Sequence, residues 1–375
     1  MMKNVLFPFY LKLACVLVIL IAGGYLAILG KNVLSPLLFA FLFALLLLPL
    51  ANFLQNRLRF SRAIASIVSV LIFLFSISVI IYLLSSQIAD LSREWPLLIN
   101  QITILFHDLQ QWLERTFHIN LQRQAEYIQN TTSQVLNSSG SILEKTVLSV
   151  SSVLLLLVFT LIYTFFLLLY RRLLMRFIVS AFTEKYIAVI HDIAEQIKYI
   201  VRKYITGLFF EMAIVVSIAC IIFWLLGIKY VFLLGLLVGV LNVIPYVGIF
   251  TALFISVSIT FATLDAKHAF YVAIGVVCIH LTDSNFLMPK IVGSQVKINP
   301  MIIILGVVIG EMLWGIAGMF LAVPYIAMAK VVFDRTQGLQ PWGILLGDEE
   351  NPPRKIKSIL RRFKKVKNEN EFGKE

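Results

Sequence analysis

Few residues in this chain could do chemistry, and they stand where such residues are costly. His280 and Asp283 are three positions apart, which places them on one helix face, and Asn285, Pro289 and Lys290 follow directly. An imidazole and an acid so placed suit a proton or cation relay; equally, Asp283 could cap the adjoining loop or pair with Lys290. Two more clusters join a break in regular backbone to a polar group. One reads Asn242-Val243-Ile244-Pro245-Tyr246-Val247-Gly248; the other holds Glu311, Trp314-Gly315 and Gly318. Pro245 lacks a backbone donor and cannot continue a helix, while Asn242 and Tyr246 offer hydrogen-bonding groups beside it. The chemistry on offer is binding. The candidate solute contacts are Asn242, Pro245, Tyr246, Gly248, Asn285, Gly315 and Gly318, and the candidate ion-coupling acids are Asp283 and Glu311. Glu211, near the start of an apolar run, could as easily be interfacial.

Enzyme signatures are mostly missing. There is no Walker loop, GxGxxG, GxSxG or HExxH pattern, so neither an enzyme nor an ATP-driven pump is expected, and no cofactor. His191-Asp192 with Glu195 reads as a solvated helix face, not a metal site. Cys15, Cys220 and Cys278 lie inside apolar runs, where a thiol acts as a small hydrophobe.

The elements that position these residues follow from composition. Of 375 residues, 60% are hydrophobic and 14% charged, with a mean hydropathy of +0.91. A soluble domain holds roughly 45–50% apolar and about 25% charged residues, so the solvent here is lipid. Runs of spanning length occur at Leu13–Leu29, Val33–Leu54, Ala63–Leu84, Thr146–Tyr170, Gly207–Ile228, Tyr230–Leu264, His268–Met288 and Pro300–Phe333. The sixth and eighth far exceed the ~20 residues of one crossing, and each is interrupted near its middle, which predicts helical hairpins. The expected fold is all-α, with about eight membrane segments and two broken hairpins.

Both hairpins carry a Leu-Gly-x-x-x-Gly pattern, Leu234 to Gly239 and Leu305 to Gly310. In soluble or membrane helices that spacing allows close packing; in a pair of opposite sense it marks an inverted repeat, whose breaks lie near the bilayer midplane in transporters. The organisation is then helices one to three in 1–84, a water-facing helical insert in 85–145, helix four with amphipathic helices in 146–206, a core with both hairpins in 207–337, and a basic tail in 338–375.

Charge orients this arrangement. The chain carries a net charge of +12, concentrated at membrane borders: Arg57, Arg59 and Arg62; Arg171, Arg172 and Arg176; and the run from Arg354 to Lys367. Basic loops stay cytoplasmic, which places both termini inside and the insert outside. In the tail, Ile356, Ile359, Leu360 and Phe363 form an apolar stripe among the basic residues, as in a helix lying on anionic lipid. No aromatic-rich surface accompanies it, so nucleic acid is not an expected partner. These features describe a secondary transporter of a small polar solute or a cation. A membrane scaffold that recruits partners is the reading from another class.

Gly235 to Gly248, Asn285-Phe286-Leu287-Met288-Pro289-Lys290-Ile291-Val292-Gly293, Asn299-Pro300, Leu313 to Pro324 and Phe333-Asp334-Arg335 resemble the autoinducer-2 exporter family of bacterial membrane proteins. The resemblance covers almost the whole chain and is strongest from Leu234 to Gly347. It implies an eight-segment transporter with two re-entrant hairpins in a homo-oligomer, a pentamer. It further implies export of the quorum-sensing signal autoinducer-2 or, on the same scaffold, sodium or lithium/proton antiport, with Na+ or H+ as coupling ion. The tail from Gln340 to Asp348 resembles that of Bacteroidetes-like bacteria, which implies an inner membrane and a periplasmic insert.

Overall fold

The computed structural model describes residues 9–87, 139–243, 247–288, 290–291 and 298–347. Most of the expected insert, the tail beyond Gly347, and Pro245 and Tyr246 lie outside these residues. Helices fill the described chain: α1 Phe9–Leu29, α2 Lys31–Asn56, α3 Arg62–Gln87, α4 Ser139–Ser180, α5 Ile187–Leu225, α6 Val231–Asn242, α7 Val247–Thr263, α8 Ala266–Thr282, α9 Pro300–Trp314, α10 Ile316–Arg335 and α11 Gln340–Leu346. Among the described residues the sole β-type pairing is one antiparallel bridge, Ile298 with Gly347. Six described helical stretches are long and apolar enough to cross a bilayer, and α1, α6, α7 and α9 are shorter apolar helices. Their outer faces carry bare aromatics such as Phe232 at 72% and Phe254 at 73% exposure, which water would not tolerate in such number and lipid does. The chain is an all-α, multi-pass membrane protein.

Two of the helices run well past the apolar segments. α4 continues through the Arg171 to Arg176 cluster, and α5 starts twenty residues ahead of Gly207. The polar stretch between spans four and five contains no Pro and no Gly before Gly207, so nothing breaks either helix except the short turn around Thr183 and a single 3-10 turn at Glu184–Tyr186.

The chain forms two compact units, each assembled from separated stretches: residues 1–49, 166–207 and 292–375 in one, 50–165 and 208–291 in the other. In the first, α9 and α10 fold back on each other through Gly315, whose φ of 66° lies in the left-handed region and suits glycine alone. The Trp314 indole donates to the Ala27 carbonyl at 2.9 Å and the Tyr325 hydroxyl to the Leu38 carbonyl at 2.9 Å. Phe39 stacks on Phe320. α11 turns back on α10, where Gly343 lies against Asp334, and Asp334 accepts from Lys330 at 2.5 Å. Arg335 donates to Asp192, so the acid of the His191-Asp192 pair belongs to an ion pair.

In the second unit the core is built from Val215, Ala219 and Phe223 of α5, Leu233, Leu234 and Val238 of α6, Ala252 of α7, and Val272, Val276 and Ile279 of α8. The two glycines of α6 set the α5–α6 crossing. Gly235 packs on Cys220, and a methyl group at Gly239 would meet Val216 and come within 3.1 Å of the Met212 carbonyl. That approach places α5 around Met212 alongside the C-terminal end of α6.

Candidate functional site

α6 has 12 residues, about 18 Å of helix at 1.5 Å per residue, against a hydrocarbon thickness of about 30 Å. The helix is therefore shorter than one crossing, and its last residue is Asn242. After the break, Gly248 sits against the backbone of Leu241 and Asn242, so close that any side chain there would collide with the Leu241 carbonyl. α6 and α7 thus meet backbone to backbone where Gly248 lies against Leu241 and Asn242.

Asp283 reaches the same place from α8. The helix passes at its C-terminal end into one π-helical turn, Asp283–Leu287, in which the Met288 amide donates to the Asp283 carbonyl. The widening falls just ahead of Pro289 in the sequence. Such turns recur at functional sites because they re-aim side chains. Here Asp283 is 4% exposed and accepts a hydrogen bond from Asn242 Nδ2 at 2.8 Å. Asp283 is thus turned inward, whereas Lys290 is exposed.

The third member is Glu211 of α5, 5% exposed, whose carboxyl stands within side-chain hydrogen-bonding reach of Asp283. The available sequence signal was a single acid inside the apolar run Gly207–Ile228, and by itself it was compatible with an interfacial position. What buries it is the glycine crossing: Gly239 admits Met212, the residue after Glu211, and so draws Glu211 level with Asn242. Among the described residues, Glu211 Oε2 and Asp283 Oδ1 are buried without a hydrogen-bond partner, as is His280 Nδ1 one turn before Asp283. The His280 Nε2 lies 3.4 Å from Ser284 Oγ.

Asn285 is exposed and its side-chain amide donates to the Leu281 carbonyl at 2.7 Å. Glu311 is exposed on α9, Gly315 forms the α9–α10 turn, and Gly318 is buried against Gly310; all three belong to the first unit.

Spanning helices, an interrupted helix pair and a buried polar cluster at the interruption define a class, the polytopic α-helical membrane transporter. The profile described as AI-2E family transporter matches residues 16–338, and the chain belongs to that family, as the motifs from Gly235 to Arg335 led one to expect. It is 28% identical over 313 residues to the putative transport protein YrrI of Bacillus subtilis, covering 80% of this chain and 86% of that one. It is 26% identical over 339 residues to the AI-2 transport protein TqsA of Escherichia coli, with 88% and 93% covered. Over 345 residues it is 23% identical to the putative transport protein YhhT of E. coli, with 90% and 93% covered.

Proposed function

We propose that the chain is a secondary transporter that exports a small polar solute across a bacterial inner membrane, with autoinducer-2 as the first candidate and an ion gradient as the driving force. The observation that supports this reading is the Asn242–Asp283 hydrogen bond at the end of a helix too short to cross the bilayer. Discontinuous helices in transporters offer their freed backbone and polar ends to the substrate, and irregular backbone at such depth needs protein or a water-filled path around it. The name of the E. coli relative TqsA supplies autoinducer-2 as the solute to test first.

On this reading α6–α7 and α9–α10 are re-entrant hairpins, and the solute path includes Asn242, Pro245, Tyr246, Gly248, Asn285, Gly315 and Gly318. Both termini face the cytoplasm, the 85–145 insert is periplasmic, the basic tail lies on anionic lipid, and the protein works as a homo-oligomer, a pentamer. The buried acids favour a second reading, sodium or lithium/proton antiport, since an exchanger of inorganic ions needs no organic solute. A scaffold is disfavoured by the same acids, because ionisable groups buried in a bilayer are costly and serve a path or a partner.

Counterflow in proteoliposomes of the full chain tests the proposal, with autoinducer-2, a second furanone and a set of sugars. Saturable counterflow of autoinducer-2, reduced several-fold by Asn242→Ala at equal yield of folded protein, is the expected result. Proton movement that depends on sodium or lithium, without counterflow of any organic solute, would select the antiporter. Absence of both fluxes would overturn transport itself.

A further inference from the structure

Glu211, which the sequence allowed to be interfacial, is buried in the second unit's polar cluster. Glu211 comes from α5 and Asp283 from the turn after α8, 72 positions later in the chain, yet their carboxyls stand within hydrogen-bonding reach of each other, both residues more than nine-tenths buried at 5% and 4% exposure. Among the described residues no ion pair includes either acid. α6 and α7 contain no titratable residue at all. On α5 the nearest charges are Arg202 and Lys203, two turns earlier and exposed; on α8, Lys267 and His268 stand at the far end, Tyr271 and Cys278 are exposed, and His280 is the sole titratable group within a turn of the pair. Asn242 donates to one oxygen of Asp283. That leaves Glu211 Oε2 and Asp283 Oδ1, the two buried carboxyl oxygens without a hydrogen-bond partner among the described residues.

Two carboxyls within hydrogen-bonding reach of each other can bond only if a hydrogen lies between them. With both carboxyls ionised, the site would hold two adjacent negative charges in a low-dielectric surround, an arrangement that proteins relieve by keeping one proton on the pair. We infer that Glu211 and Asp283 together form a proton-binding site that couples transport to the pH gradient, with Asn242 as the positioning residue that holds Asp283 in the shared geometry. The inference rests on the transporter reading above and names its coupling ion. One proton bound leaves the pair with a single negative charge and an O–H···O bond between Glu211 and Asp283; release to the bath leaves two charges and no bond. The second charge is bearable only when water reaches the site, so loss of the proton is tied to opening of the path. That tie is what coupling requires.

Two measurements on the full-length protein test the inference, and one of them needs no solute. Infrared difference spectra of the detergent-purified protein across a pH titration should contain a protonated-carboxyl band that disappears in Glu211→Gln and in Asp283→Asn, each checked for folding by gel filtration. Glu211→Asp keeps a carboxyl and should keep a band, shifted in position. In proteoliposomes, one unit of pH gradient should accumulate autoinducer-2 up to about ten-fold for one coupled proton, and both charge-removing variants should abolish this accumulation. A wild-type spectrum without any band sensitive to Glu211→Gln would overturn the inference, as would pH-driven accumulation unchanged in that variant, or accumulation that follows a sodium gradient and ignores pH. If the wild type moves no organic solute while the infrared band behaves as expected, the exporter reading fails and the shared-proton site stands.

Discussion

Asp265 shows how much a single side chain can decide at the border of a span. It caps α8, accepting from the His268 amide at 2.7 Å, and its carboxylate also meets the His268 ring at 2.7 Å. The backbone hydrogen bond from His268, with the ring contact after it, holds the carboxyl below the usual carboxylate range. A lowered carboxylate contributes stability that is complete above its unfolded pKa and fades as the pH falls through the folded one. Asp265→Ala should therefore lower the Tm at neutral pH, with the gap to wild type closing in strong acid, while Asp265→Asn keeps an acceptor and much of the cap; thermal scans at several pH values read this directly. Gly310 and Gly318 act by what they lack. Their backbones meet, so a methyl group on either would strike the other's carbonyl region. Overpacking of this kind costs about 1–3 kcal/mol in cores that can adjust, and backbone adjusts least. Gly318→Ala should reduce the yield of folded protein sharply, measured by fluorescence-detected gel filtration, whereas Gly23→Ala, with open space around it, should not.

At the level of elements, the long apolar runs Tyr230–Leu264 and Pro300–Phe333 announced helix pairs by length alone, and α6–α7 and α9–α10 occupy them. The hydrogen bonds that tie α9 and α10 to α1 and α2 were not legible, because Trp314 and Tyr325 are ordinary membrane aromatics until a partner carbonyl is in place. Their bonds to Ala27 and Leu38 bridge 287 positions of chain in each case. Polar contacts between membrane helices contribute about 0.6 kcal/mol on average and up to about 1.7. Tyr325→Phe should accordingly destabilise modestly within that range, and the double change with Trp314→Phe should be close to additive, since the two bonds share no group. Thermal denaturation in detergent with all four variants of the cycle measures both.

For the molecule as a whole, the orientation we propose makes a separable prediction. The insert and the basic tail belong on opposite sides of the membrane, because Lys and Arg concentrate in cytoplasmic loops. A cysteine introduced at Ser138 in a background without the three native cysteines should react with an impermeant maleimide from the periplasmic side, and one at Ser358 only after permeabilisation. The reverse pattern would invert the proposed topology and with it the direction of export.

The sequence by itself determined the solvent, the helical class, the family and the position of each break, since all of these depend on local composition and on short motifs read along one chain. It also marked Asn242 and Asp283, as polar residues beside backbone that cannot stay regular. Tertiary structure alone decided that these two are partners, that Asp283 turns inward and away from Lys290, and that Glu211 completes the cluster. The reason is physical: which residues meet across α5, α6 and α8 depends on how closely the helices cross, and between α5 and α6 that distance is set by Gly235 and Gly239 against Cys220, Met212 and Val216. A glycine pattern in the sequence permits close crossing without naming the partner helix or the register. Only once the helices are docked does a lone acid in an apolar run acquire a neighbour.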